Sequence, residues 1–354
     1  MPEYSVPVRA RYSDSVSATE MNVTRISKKV NMDETLAPVT PITIDAIEAA
    51  RKRIAGTVLR TPLVRLDSGA TDCEIYLKLE NLQPINSFKL RGAANAVAML
   101  PPDRRSRGVW TISAGNAGQG VAYAARQAGV PCTVVTIETA PETKVARMRR
   151  LGAHLVKASF DDCWEAMERR AFPGVEGTFI HPFDDDDFIA GNATMGLEIA
   201  EDLPEVDTVI TAIGGGGLIT GVASGLRARK PNVRVLGAEP ETAAPGAASF
   251  AAGEASVFPN WEATFVDGAG GKSVFPRMWE RMRPVVDGSI VVTLEETKNA
   301  MRVLADRARI IAERAGALST AAALSGKAGR GPIVAVVSGG NIELSTFFEL
   351  IASR

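Results

Sequence analysis

The chain has 354 residues, of which 45% are hydrophobic and 23% are charged, and its formal net charge is −1. Such a chain can bury the core of a two-domain globular protein, and its balanced charge gives no reason to expect nucleic acid or an acidic membrane as a partner. No apolar stretch is long enough to span a bilayer, and three cysteines and two histidines indicate neither a disulfide framework nor a histidine metal cage. The default location is the cytoplasm.

Residues 1–40 differ from the rest of the chain. They are rich in Ser, Thr, Val and Arg and show little periodicity. They lack the apolar segment of a signal peptide, and Glu3, Asp14 and Glu20 argue against a transit peptide. We interpret them as an N-terminal extension, which is either a disordered tail or an arm across a neighbouring subunit.

From Pro41 onward, predicted strands alternate with predicted helices. The predicted strands are 74–79, 108–112, 132–137, 208–213, 233–238 and 333–337, and the predicted helices are 87–99, 116–127, 142–150 and one that starts near Leu218. This alternation predicts right-handed crossovers and parallel sheets covered by helices on both faces. Because ligands bind beyond the carboxyl ends of such strands, the loops that follow strands are the candidate site.

Four consecutive glycines, Gly214, Gly215, Gly216 and Gly217, follow the predicted strand 208–213 and precede a helix. Bare backbone N–H groups at a helix N-terminus form a cradle for an anion, which we interpret as a site for one phosphate. The alternative is a tight turn that needs positive φ angles. Leu218 follows the glycines where a nucleotide P-loop has a lysine, so that motif is excluded.

A lysine loop forms the start of the predicted helix 87–99. Ser87 is predicted to be its N-cap, which places Lys89 in the first turn. A helix N-terminus and partial burial behind Phe88 would both lower the pKa of the Lys89 amine, which could then attack a carbonyl group. The alternative is a solvated surface lysine.

Two further loops follow predicted strands. The loop 113–120 offers Ser113 and Asn116 beside glycines that allow an anion such as a carboxylate to approach. The loop 338–341 places the hydroxyl of Ser338 at the floor of a ligand site. The alternative for both loops is an ordinary strand-to-helix turn.

A reactive lysine, a phosphate cradle, a carboxylate loop and a polar floor together describe a pyridoxal phosphate (PLP) site for amino acids. The chain resembles the fold-type II PLP enzymes, specifically the serine/threonine dehydratase and serine racemase family. The matching segments, in the family's order, are 87–93, 113–120, 181–185, 214–218, 239–240 and 338–341.

The resemblance implies an α/β fold with two open, twisted, parallel-sheet domains of the tryptophan synthase β type and PLP in the cleft between them. The large domain would comprise residues 41–100 and 185–354, and the small inserted domain residues 101–184. The family also implies a homodimer.

The resemblance further implies roles for individual residues. Lys89 would hold PLP and act as the base at Cα, and Ser338 would face the pyridine nitrogen, which makes these two the catalytic candidates. Phe88 would pack against the cofactor ring, and Asn116 would bond its phenolic oxygen. The predicted phosphate contacts are Gly214, Gly215, Gly216, Gly217 and Leu218, and the predicted substrate loop contains Ser113, Ala114, Asn116 and Ala117.

Three departures from the family pattern affect the expected chemistry. Ala114 replaces the serine that serves the second face of Cα in the racemase, and Ala117 replaces a usual histidine. Glu239 and Ala243 match two ligands of the divalent metal site seen in some members, but Pro245 occupies the position of a second acidic ligand. A divalent metal is therefore left open.

The favoured hypothesis is β-elimination on an L-β-hydroxy amino acid of the threonine/serine class, which yields an α-keto acid and ammonia. The space left by Ala117 favours a bulky substrate such as L-threo-phenylserine. The alternatives are a β-replacement enzyme of the cysteine synthase type and a non-catalytic PLP-binding protein.

Overall fold

The computed structural model describes residues 36–69 and 73–352 of the chain. Its strands are β1 (Leu63–Leu66), β2 (Ile75–Leu79), β3 (Val109–Ile112), β4 (Cys132–Ile137), β5 (His154–Ala158), β6 (Thr178–Phe179), β7 (Thr208–Ala212), β8 (Arg234–Pro240), β9 (Gly288–Val292) and β10 (Ile333–Val337). Its helices are α1 (Ile44–Ile54), α2 (Lys89–Ala98), α3 (Pro102–Arg105), α4 (Asn116–Ala128), α5 (Glu142–Arg150), α6 (Phe160–Arg169), α7 (Asp186–Asp202), α8 (Gly217–Arg229), α9 (Pro245–Ala252), α10 (Pro276–Met282), α11 (Leu294–Ala308), α12 (Arg314–Leu324) and α13 (Leu344–Ala352), and a short 3₁₀ turn covers Glu80–Leu82.

The strands form two sheets. The six-stranded sheet has the order β1-β2-β10-β7-β8-β9, and all of its neighbours are parallel except β1 and β2. The four-stranded sheet has the order β5-β4-β3-β6 and is parallel throughout. The chain is therefore an α/β protein with two largely parallel sheets, as predicted, but the antiparallel edge strand β1 was not anticipated.

The four-stranded sheet is built from a continuous part of the chain, between Val109 and Phe179. This part lies inside the segment 101–184 that the sequence assigns to the small domain. From Val39 onward the chain forms one compact unit that contains both sheets. The domain boundaries at 101 and 184 stay a prediction, and the N-terminal extension falls almost entirely outside the described residues.

Both faces of the six-stranded sheet are buried. Along β10, Ile333, Ala335 and Val337 pack into the core that includes α11 and α12, while Val334 and Val336 pack into the core that includes α7 and α8. Because alternate residues of a strand point to opposite faces, this division means that helices cover both sides of the sheet.

Helices α7 and α8 pack unusually closely. A Cβ atom on Gly225 of α8 would lie 2.2 Å from the carbonyl oxygen of Ala193 on α7, so no larger side chain fits there. This contact fixes α8 against α7, and the N-terminus of α8 lies just beyond the end of β7.

The predicted strands and helices are all present, and their ends differ from the prediction by at most two residues. The predicted N-cap was wrong. Helix α2 begins at Lys89, and its N-cap is Phe88, whose backbone is already helical (φ −52°, ψ −24°). The Ser87 hydroxyl accepts only a long, 3.4 Å hydrogen bond from the Lys89 N–H. Within the described residues, none of the helices is long and apolar enough to cross a bilayer.

Candidate active site

A cavity of about 340 Å³ lies at the carboxyl ends of β3, β7 and β10, where the residues that follow these strands meet. It brings together every predicted cofactor and substrate residue: Phe88, Lys89, Ser113, Ala114, Asn116, Ala117, Gly214, Gly215, Gly216, Gly217, Leu218 and Ser338. The loops after β7 and β10 meet because parallel neighbours end at the same edge of the six-stranded sheet, and the loop after β3 reaches the cavity from the four-stranded sheet. The predicted metal residues Glu239 and Ala243 are not part of this lining.

Lys89 is the first residue of α2 and lines the cavity. Its Nζ atom donates a 2.6 Å hydrogen bond to the carbonyl oxygen of Pro182 and lies 5.2 Å and 5.4 Å from the ring centroids of Phe88 and Phe188. Burial lowers the pKa of this amine to about 8. A larger fraction of Lys89 is therefore the free, nucleophilic amine near neutral pH than for a solvated lysine.

The loop that presents Pro182 is held by a buried histidine. His181 Nδ1 accepts hydrogen bonds from the N–H groups of Asp184 (2.9 Å) and Phe183 (3.3 Å), and burial lowers its pKa to about 3. Asp184 is in turn bound by the Arg170 and Arg281 side chains. The segment 181–184 therefore serves as a rigid support for Lys89 and for the glycine loop.

The glycine loop joins β7 to α8. Only Gly216 has a positive φ angle (+88°), and the N-cap of α8 carries no side-chain hydrogen bond. Among the described residues, the N–H groups of residues 214–219 donate to no protein acceptor. A helix N-terminus with free donors that face a cavity fits a phosphate group.

Packing gives a second reason for the glycines. A Cβ atom on Gly215 would lie 2.4 Å from the ring of Phe183, and one on Gly217 would lie 2.8 Å from the carbonyl oxygen of the same residue. The turn hypothesis therefore holds at Gly216 alone, and close approach of Phe183 accounts for two of the other glycines.

Ser338 follows β10 and is only 5% exposed. Its carbonyl oxygen accepts a 3.0 Å hydrogen bond from the Phe88 N–H, and Ser87 forms an antiparallel bridge with Gly339. These contacts join the lysine loop to the end of β10, so that Lys89 and Ser338 line the same cavity.

The loop after β3 supplies the opening turn of α4. The Ser113 hydroxyl accepts a 3.0 Å hydrogen bond from the Gly115 N–H, and α4 begins at Asn116 without a side-chain cap. The first two residues of α4, Asn116 and Ala117, line the cavity together with Ala114. This arrangement suits a small anion such as a carboxylate.

Sequence reasoning missed a group of polar residues at the cavity. Glu313 lines it and accepts a 2.7 Å hydrogen bond from Asn116 Nδ2, and burial raises the pKa of this carboxyl group to about 7. Lys144 and Asp267 also line it and form a 2.6 Å ion pair. No local sequence pattern pairs Lys144 with Asp267, which are 123 residues apart, so sequence reasoning could not find this ion pair.

The two residues named for a metal do not fit one. The Glu239 carboxylate accepts hydrogen bonds from the N–H groups of Gly246 and Ala247, each at 2.8 Å, and from the Ser289 hydroxyl at 2.6 Å. Both of its oxygens are thus bound by protein donors. Hard divalent cations need several oxygen ligands, and the described residues contain no cluster of metal-binding side chains.

The lining fits pyridoxal phosphate in each of its parts. The free N–H groups beyond Gly214 suit the phosphate, Lys89 supplies an amine for the carbonyl group, and Ser338 offers a hydroxyl for the ring nitrogen. None of these residues would need to be replaced to accommodate the cofactor.

Comparison with known proteins agrees with this fit. Residues 54–339 match the family model described as "Pyridoxal-phosphate dependent enzyme". The chain is 40% identical to the L-threonine ammonia-lyase of Thermotoga maritima, over 88% of this chain and 78% of that protein. It is 38% identical to the catabolic L-threonine dehydratase TdcB of Staphylococcus aureus, over 88% of this chain and 92% of that protein. The structure of maize serine racemase superimposes with a TM-score of 0.80 at 34% identity, over 88% of this chain and 98% of that one. The chain thus belongs to the pyridoxal-phosphate dependent enzymes of fold-type II, within the family of the serine/threonine dehydratases and serine racemases.

Proposed function

We propose that the chain is a PLP-dependent dehydratase that performs β-elimination on an L-β-hydroxy amino acid of the threonine/serine class. The products are an α-keto acid and ammonia. The proposal is supported by relatives named for threonine ammonia-lyase and dehydratase activity, which match 88% of this chain.

The observation that carries the proposal is the meeting of Lys89 with the free N-terminus of α8 in one cavity. An amine whose pKa is lowered to about 8 can bind a carbonyl compound, and the N–H groups beyond Gly214 can hold its phosphate. A phosphate cradle without such an amine would suit many ligands, whereas the pair is specific to a phosphorylated aldehyde.

The bound cofactor supplies an electron sink for the charge that develops at Cα. Lys89 would act as the general base that takes the proton from Cα. Ser113 and the first N–H groups of α4 hold the substrate carboxylate. Ser338 would face the ring nitrogen of the cofactor with a hydroxyl group, which is too weak an acid to keep that nitrogen protonated, and the weaker electron sink that results suits elimination.

The substrate is proposed to be bulky, with L-threo-phenylserine as the leading candidate. Ala117 is 5% exposed and lines the cavity beside the carboxylate loop, where a histidine would occupy the space of an imidazole. Partial burial of an aromatic ring there is worth about 2 kcal/mol, or more than tenfold in kcat/KM.

A keto-acid and ammonia assay tests both the elimination reaction and the preference for a bulky substrate. The substrates to compare are L-serine, L-threonine, 3-hydroxyaspartate and L-threo-phenylserine. Keto acid formed from any of these amino acids supports elimination, and its absence from all of them contradicts it. A trapped product with added thiol would indicate β-replacement instead.

Ala117→His separates substrate size from chemistry. It should depress kcat/KM for phenylserine about tenfold and leave that for serine within about twofold. A tenfold preference for threonine over phenylserine in the unmodified protein would contradict the size argument while leaving the elimination activity intact. We also expect a homodimer, which light scattering of the purified protein can test.

A further inference from the structure

Four side chains form a hydrogen-bonded chain that ends at the cavity. Arg147 Nη1 on α5 donates to Asn341 Oδ1 (2.7 Å), Asn341 Nδ2 donates to Asn116 Oδ1 (2.8 Å), and Asn116 Nδ2 donates to Glu313 Oε1 (2.7 Å). Asn341 and Glu313 are each 7% exposed. This chain of contacts links α5, beside the four-stranded sheet, to the loop after β10.

The orientation of the Asn341 amide is fixed at both ends by groups that cannot reverse their roles. The Arg147 guanidinium can only donate, so Asn341 must turn its oxygen toward it. The carbonyl oxygen of Ile85 can only accept, and it receives a 2.8 Å hydrogen bond from Asn341 Nδ2. The Arg147 contact fixes the position of the amide oxygen, and the Ile85 contact fixes that of the amide nitrogen. Both contacts give the same orientation of the Asn341 amide.

The orientation of the Asn341 amide determines that of the Asn116 amide. Asn341 presents an N–H to it, so Asn116 must turn its oxygen toward Asn341 and its Nδ2 toward Glu313. One of the two Nδ2 hydrogens is used by Glu313, and the other remains for a ligand in the cavity. A reversed Asn116 would set its own N–H donors against those of Asn341.

We propose that Arg147 and Asn341 are positioning residues, which orient Asn116 so that it donates a hydrogen bond to the phenolic oxygen of the cofactor. The inference rests on the cofactor contact assigned to Asn116. Donation stabilises the ionised form of the phenol, whereas an amide oxygen in the same place would favour the neutral form. The direction of the hydrogen bonds in this network therefore determines whether the ionised or the neutral form of the cofactor phenol is favoured.

Asn341→Asp is the sharpest test, because it preserves size and the Arg147 contact but makes both oxygens acceptors. Asn116 would then turn its Nδ2 toward residue 341, which puts its oxygen in the place where Nδ2 now serves Glu313 and the cofactor. In the purified holoenzyme, the ratio of the longer-wavelength absorption band of the ionised phenol to the shorter-wavelength band of the neutral phenol should fall at least about fivefold.

Arg147→Met removes one of the two constraints on Asn341, since Ile85 remains, and should produce a smaller shift in the same direction. Arg149→Met on the same helix is the matched control, because that side chain is exposed and pairs with Glu142. It should leave the ratio unchanged.

Cofactor content and circular dichroism establish that each variant is folded and loaded. A band ratio equal to that of the unmodified protein in every folded variant of Arg147 and Asn341 overturns the inference, and Arg147→Met decides the matter if Asn341→Asp does not fold. The spectrum is read without substrate, so this result is independent of whether the enzyme forms a keto acid.

Discussion

Replacing Glu313 with glutamine should alter how stability depends on pH. Burial raises the pKa of this carboxyl group from 4.5 to about 7, and the repulsion of Asp267 adds to this, while the Asn116 hydrogen bond and the cations Lys144 and Arg314 oppose it. Between these two pH values the folded protein holds a proton that the unfolded chain releases. The free energy of unfolding therefore falls as pH rises through this window, by up to about 3 kcal/mol.

Glutamine has the same shape, can still accept the Asn116 hydrogen bond and does not titrate. The stability of Glu313→Gln relative to the unmodified protein should therefore increase by up to about 3 kcal/mol between about pH 4.5 and about pH 8. Urea denaturation of the cofactor-free protein across this range measures the difference, since the protons of the cofactor then do not contribute.

Glu343→Gln is the matched control, because Glu343 is an exposed glutamate that lines a second, neighbouring pocket rather than the cavity of Glu313. It should leave the pH profile unchanged. If the profiles of Glu313→Gln and the unmodified protein are parallel, Glu313 does not carry a raised pKa and the reasoning is refuted.

Four further outcomes are expected. Lys89→Ala should lose the visible band of the bound cofactor and all turnover, and retained activity would remove Lys89 from its assigned role. Gly215→Ala should weaken PLP binding about tenfold in a spectral titration, because its Cβ would lie 2.4 Å from the Phe183 ring, and an unchanged dissociation constant would contradict this. Incubation with L-serine should yield pyruvate with negligible D-serine on chiral chromatography, because Ala114 cannot protonate the second face of Cα; comparable amounts of both would be inconsistent with that. A chelator should change neither activity nor melting temperature, since protein donors already bind the Glu239 carboxylate, and a several-fold activation by Mg²⁺ would show the opposite.

The local pattern of the sequence determined the repeating part of the fold and the place of the site. Runs such as 333–337 are apolar over consecutive residues because both faces of a central parallel strand are buried. The sequence alone shows glycines and a polar residue directly after such strands, at 214–217 and at Ser338. They can be recognised because the preference for strand, turn or helix depends on residues that are close together in the chain. The same locality made Lys89 recognisable at the start of a helix.

The tertiary structure decided the features that depend on partners far apart in sequence. Strand β1 runs antiparallel at the sheet edge because of its pairing with β2, and α2 begins at Lys89 because the preceding residues pair with the end of β10. The raised pKa of Glu313 requires burial by segments from several parts of the chain. Asn116 and Asn341 are 225 residues apart, and their hydrogen bond exists only because the loop after β3 of the four-stranded sheet meets the loop after β10 of the six-stranded sheet. A hydrogen bond is fixed by distance and direction within a few tenths of an ångström, and no periodicity in the sequence encodes such a relation across folded elements.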